Sequence, residues 1–209
     1  MKRSWLWPLG GLAAGVGIGL LVVFLAGENP LAVSSIIAKG AFGSRYDLGV
    51  TLYYATALSF TGFSVAVAFQ SGLFNIGAEG QLAVGALAAA LAAILLPGIF
   101  PAAIAPWIAL IFGIAAGALW GWIAGWLRAR RGSHEVINTI MLNFVAAALV
   151  SWLVTAHFQN PGSQSPETPP VPAEFFLRSW DPMVHWFDDA PVSLAYPMAC
   201  LVGVALWAF

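Results

Sequence analysis

Residues 101–131 read PAAIAPWIALIFGIAAGALWGWIAGWLRARR, with no charged side chain from Pro101 to Leu127 and arginines at 128, 130 and 131. A helix rises about 1.5 Å per residue, so about 20 apolar residues cross the roughly 30 Å hydrocarbon core of a bilayer. The run is long enough to cross, and it ends in cations suited to a membrane surface. Within it Gly113, Gly117, Gly121 and Gly125 recur every fourth residue, a smooth ridge on which a second helix can approach closely. Gly11, Gly15 and Gly19 repeat the pattern more weakly near the N-terminus.

The rest of the chain is built in the same way. Hydrophobic residues make up 60% of the 209 and charged residues only 8%, too few charges to coat a water-soluble globule. The lipid bilayer is therefore the expected solvent. A net charge of −1 leaves no basic face for a nucleic-acid partner. Apolar runs at about 5–26, 47–69, 79–97, 101–127 and 136–155, and a sixth from Pro191, predict an all-α, polytopic transmembrane bundle of about six spans. The sixth reaches Phe209 without a polar flank, so the expectation is the N-terminal portion of a longer protein, with 1–209 forming a single transmembrane domain. Met1-Lys2-Arg3 resembles a signal-peptide start. The apolar run behind it is too long for a signal core and lacks a small-x-small cleavage site, so it is read as an anchor.

Lys and Arg orient the spans. With a cytoplasmic N-terminus, Lys2, Arg3, Arg128, Arg130 and Arg131 fall inside, and Lys39, Arg45 and Arg178 fall outside. Residues 156–190 then form an extracytoplasmic loop. Its QNPGSQSPETPPVP stretch predicts extended, weakly structured chain, while FFLRSW and MVHWF are candidates for a short interfacial helix. It is read either as a connector or as a docking surface. His157 and His185 lack the spacing of a metal site, and Cys200 reads as a small buried hydrophobe.

Two polar stretches interrupt the apolar pattern. In LRARRGSHEVINTIMLN, at 127–143, Ser133 is the expected N-cap of a short cytoplasmic helix, with Glu135 in its first turn. The arginines alone read as a positive-inside anchor. Thr139 and Asn143 share a helix face, suited to bonding another helix or lining a polar route. The second stretch is FNIGAEGQ, at 74–81. One reading is a cytoplasmic turn with Glu79 in water. The other is a broken helix in the membrane, because irregular backbone at depth is tolerated where it lines a cavity.

GLFNIGAEGQLAVGAL and RGSHEVINTIMLNF together resemble the permease subunits of ABC importers for nucleosides and simple sugars, the branch served by basic-membrane-protein-type lipoproteins. The resemblance extends over essentially the whole chain, although family members continue with further helices. It implies a coupling helix at about Arg128–Asn143 that docks on a separate ATP-binding subunit. Arg130, Arg131, Gly132, Ser133, His134 and Glu135 would form the contact. It also favours the broken-helix reading of 74–81. Phe74 is then a stacking face, and Asn75, Glu79, Gln81 and Asn143 are substrate contacts.

The implied partners are the ATP-binding subunit, a second permease copy or paralogue, and an extracytoplasmic substrate-binding lipoprotein. The implied location is the cytoplasmic (inner) membrane, multi-pass. There is no G-x-x-x-x-G-K-[ST] phosphate loop in the sequence, so ATP hydrolysis falls to the partner and no enzyme activity or cofactor is expected of this chain. The alternative reading is an ion-coupled secondary transporter or channel in which Glu79 carries a proton or cation.

Overall fold

A computed structural model describes residues 6–176 and 182–208. Among them the chain forms eight α-helices and no strand: α1 Leu6–Leu25, α2 Pro30–Phe42, α3 Arg45–Gln70, α4 Ala78–Leu95, α5 Ala105–Arg131, α6 Glu135–His157, α7 Pro182–Trp186 and α8 Ala195–Ala208. A 3-10 turn lies at Ala173–Phe175. The all-α expectation holds. Four helices, α3 to α6, are long and apolar enough to cross a membrane, and α1 (over Leu9–Leu25), α2 and α8 are shorter apolar helices. Of the six expected spans, four are thus met by length and composition among the described residues.

The chain divides into two compact units, one formed by 1–53 with 184–192 and the other by 54–183 with 193–209. In the first, α2 is an addition to the expected fold. Asn29 caps it, its Oδ1 accepting from Leu31 N at 2.9 Å and Ala32 N at 3.3 Å, and Pro30 follows with φ already helical. Thirteen residues extend about 20 Å, too short for a search tuned to spans. Two residues later Ser44 caps α3: its hydroxyl accepts from Asp47 N at 3.0 Å and donates to Asp47 Oδ2 at 2.6 Å. Gly49 of α3 is buried where an added Cβ would lie 2.5 Å from Ala190 Cβ and 2.8 Å from Phe187 Cβ.

The second unit is organised by α4 against α5. A Cβ on Gly85 would sit 2.9 Å from the Gly113 carbonyl oxygen, and one on Gly113 would sit 3.1 Å from the Gly85 oxygen. Gly117 and Gly121 continue the seam against Gln81. Three glycines of the ridge, Gly113, Gly117 and Gly121, thus form the surface on which α4 lies, while Gly125 has no described neighbour within 4 Å of an added Cβ. Gly11, Gly15 and Gly19 have no described neighbour within 4 Å of an added Cβ. At the far end of α4, Phe175 is buried with Ala93 and Ala105, and the Glu174 carboxylate accepts from Gly98 N at 2.8 Å.

The loop after α6 departs from the extended chain expected for it. Asn160 N donates to Glu167 O at 2.9 Å, and Gln159 Nε2 donates to the carbonyls of Ser163 (3.2 Å) and Ser165 (2.5 Å). Side-chain hydrogen bonds from Ser163 and Asn160 hold the Glu167 carboxyl below the usual carboxylate range. MVHWF overlaps α7, while FFLRSW falls largely outside the described residues, as do Lys2, Arg3 and Arg178. Cys200, expected to be buried, is exposed on α8, where an apolar thiol suits a lipid-facing surface.

Candidate functional site

The second unit brings the two polar stretches together. Helix α3 stops at Gln70, and the chain from Ser71 to Gly77 is irregular before α4 starts at Ala78. Gly72, at φ 72°, makes the turn out of α3. This break lies against α6. Ile76 N donates to Thr139 Oγ1 at 3.4 Å, Gly80 N donates to Asn143 Oδ1 at 2.9 Å, and Asn143 Nδ2 donates to Ile76 O at 2.9 Å. Asn143 is eight residues into α6, about 12 Å along its axis.

Asn75 folds back over its own turn. Its Oδ1 accepts from Gly77 N at 2.8 Å and from Gln81 Nε2 at 3.4 Å, while its Nδ2 donates to Ser64 Oγ at 3.3 Å. Ser64 in turn donates to Gln81 Oε1 at 3.4 Å. Phe74 is exposed and meets Phe69 edge-on, ring centres 4.8 Å apart. Glu79 is exposed in the first turn of α4, where the helix dipole favours an acid, with no hydrogen-bond partner among the described residues.

The basic stretch forms a tight hairpin. Helix α5 runs through Arg131, and Gly132 closes it in the left-handed conformation at φ 64°, its N–H bonded to Arg128 O. Helix α6 starts at Glu135 with His134 as N-cap and continues unbroken to His157. The expected short helix starting at Ser133 is therefore absent as a separate element, because α6 propagates straight into the span. Ser133 serves a different role: its hydroxyl accepts from Asn138 Nδ2 at 2.6 Å. Arg128 pairs with Glu135, and His134 Nδ1 lies 3.8 Å from the same carboxylate. Arg130 and Arg131 are exposed.

A pocket of about 130 Å³ joins the two stretches. Its wall includes Phe74, Asn75 and Gln81 from the break, Gly121 and Gly125 from the glycine ridge, Thr139 from α6, and the Arg128–Glu135 pair. Of the expected substrate contacts, Phe74, Asn75 and Gln81 line it. Glu79 and Asn143 do not. Ser64 is the participant that sequence reading did not single out, and Arg128, read there only as part of the basic segment, enters as a residue of the pocket wall. A serine in an otherwise apolar span was the available signal for the first.

Several apolar spans, with an irregular polar segment hydrogen-bonded against one of them, define a multi-pass membrane protein of the permease class. The chain belongs to the family described as branched-chain amino acid transport system / permease component, which matches residues 48–209. It is 36% identical, over 96% of its length and 56% of the relative's, to the guanosine ABC transporter permease protein NupP of Bacillus subtilis. It is 35% identical to the nucleoside ABC transporter permease protein NupB of Lactococcus lactis, over 76% of this chain and 43% of that one. With the glucose ABC transporter permease protein TsgB13 of Haloferax volcanii the identity is 31%, over 77% and 42%. The chain spans about half the length of these curated relatives. No solved structure shows significant similarity to it.

Proposed function

We propose that the chain is the permease subunit of an ABC importer that takes up nucleosides or related simple sugars, driven by a separate ATP-binding subunit. The observation that carries this reading is its similarity across 96% of its length to a guanosine permease. The pocket is compatible with it. Phe74 offers a face for a base or sugar ring, and Asn75 and Gln81 offer amides for hydroxyls or base edges.

In this reading the N-terminus is cytoplasmic, and α1 and α8 join α3 to α6 as spans. The 128–135 hairpin contacts the ATPase: Arg130, Arg131 and His134 present charge and polarity, while Gly132 and Ser133 form the tip. A second permease copy or paralogue completes the pathway, and a substrate-binding lipoprotein delivers from outside. The chain itself is a transport component with no enzymatic role and no cofactor.

The test uses the full-length permease co-expressed with its genomic neighbours, measuring uptake of labelled nucleosides and pentoses. ATP-dependent uptake is expected, and Glu135→Ala should abolish it together with co-purification of the ATPase. Uptake that persists without any ATPase and follows the proton gradient would refute the proposal and return Glu79 to the role of ion carrier.

A further inference from the structure

We infer that Asn143 is a positioning residue: its side-chain amide clamps the α3–α4 break by capping α4 from α6, and it leaves substrate contact to the looser Ser64–Asn75–Gln81 cluster. This rests on the reading above that the break faces the substrate.

The N-terminus of α4 needs an outside partner. Its cap is Gly77, which has no side chain to take the free N–H groups of the first turn. Asn75 takes the N–H of Gly77 itself. The N–H of Gly80 is taken by Asn143, 63 residues away in sequence. The other end of the same amide donates to Ile76 O. Asn143 thus bridges the break, bonding the backbone on both sides of Gly77. A carbonyl on one side and an N–H on the other fix which way the amide points.

The position is also sterically exclusive. A Cβ on Gly80 would lie 2.8 Å from Asn143 Oδ1 and 3.1 Å from Ala146 Cβ. Glycine at 80 is what lets the amide reach the backbone. The cluster around Asn75 is different in kind. Apart from the 2.8 Å bond by which Asn75 holds Gly77 N, its bonds run between side chains and are 3.3–3.4 Å long, at the weak end of the range, and Asn75 and Gln81 face the pocket while Asn143 does not. Long mutual bonds exchange readily for those of a ligand, whereas two 2.9 Å bonds to backbone hold a frame.

Two variants attack the clamp from opposite sides: Asn143→Leu removes the amide, and Gly80→Ala pushes it away without touching it. In the full-length permease with Cys200 and any further native cysteine replaced by serine, a reporter thiol at Thr139→Cys, a site 4% exposed and set against the break, measures opening of the break without requiring transport. Each variant should raise the thiol's labelling rate about tenfold, the population shift that follows loss of two backbone hydrogen bonds. The double variant should do no more than either alone. Asn143→Asp, which keeps the acceptor for Gly80 and loses the donor to Ile76, should fall between. In uptake, measured with native Thr139, Asn143→Leu and Gly80→Ala should lower Vmax alike for all substrates, while Gln81→Ala should change relative KM values.

Unchanged labelling in both variants overturns the clamp. So does a substrate-selective KM change in Asn143→Leu that Gly80→Ala lacks, which would make Asn143 a contact. Increased labelling in a protein that shows no ATP-dependent uptake would uphold the clamp and sink the transport reading.

Discussion

Replacing Gly85 by alanine tests the seam between α4 and α5. The new methyl carbon would start 2.9 Å from the Gly113 carbonyl oxygen and 3.8 Å from Gly117 Cα. Both are backbone atoms of a helix, so relief requires the two helices to move apart by a few tenths of an ångström. Overpacking of this kind costs about 1–3 kcal/mol, against a gain of about 1 kcal/mol from replacing glycine within a helix. The net expectation is roughly 0–2 kcal/mol of destabilisation. Gly62 of α3 supplies the control, because nothing described lies within 4 Å of its added Cβ and only the helical gain of about 1 kcal/mol applies. The two alanine variants should therefore differ by about 1–3 kcal/mol. The assay is the midpoint of thermal loss of monodisperse permease in detergent, compared between Gly85→Ala, Gly62→Ala and the parent. Gly113→Ala added to Gly85→Ala should cost less than it does alone, because the helices have already separated. A Gly85→Ala protein as heat-resistant as Gly62→Ala would refute the close approach.

Three further outcomes are expected at the ends of the helices. Phe175→Ala, which empties a buried ring site against Ala93 and Ala105, should weaken the attachment of its loop by about 3–5 kcal/mol and expose the 165–176 segment to protease. Glu167, its carboxyl held low by Ser163 and Asn160, contributes to loop order above its unfolded pKa and loses that contribution as pH falls through the lower folded value. The protection of Asn160 N, its exchange relative to an unstructured amide at the same pH, should fall on acidification, and Glu167→Gln should remove that pH dependence; protection in the parent that does not change with pH would contradict it. Exchanging the partners of the hairpin pair, Arg128→Glu with Glu135→Arg, should restore ATPase co-purification lost in either single variant, and failure to do so would mean that one of the two charges itself meets the ATPase.

Much of the fold was legible because membrane spans are written in length and polarity. The runs 47–69, 79–97 and 136–155 fall within two residues of α3, α4 and α6. Helix α5 begins later than the run from 101, since Ile104 N and Ala105 N both bond Pro101 O in a turn before the helix. It ends later too, because arginine is a good helix former and is favoured at the negative end of the dipole. The elements missed were those that length cannot reveal. Helix α2 is specified by Asn29-Pro30 and falls short of a span, and the 158–167 loop gains its order from side chains bonding backbone, which a composition rich in Pro, Ser and Gln does not announce.

The site was legible in its residues and hidden in its partnerships. FNIGAEGQ stood out because polar groups in an apolar chain need satisfaction, and the Thr139/Asn143 face stood out by spacing. That the second polar face satisfies the first depends on packing between α4 and α6, across a separation of 63 positions in sequence. The same limit explains Glu79, the most conspicuous residue of the stretch. Sequence marks it by charge alone, yet it lies exposed outside the pocket wall, while the neutral Asn75 and Gln81 line it. In a low-dielectric setting a neutral amide can bond and release a polar ligand without the desolvation penalty of a charge. The charges that do face the pocket, Arg128 and Glu135, offset one another as an ion pair, so its remaining polar lining comes from uncharged groups such as the amides of Asn75 and Gln81.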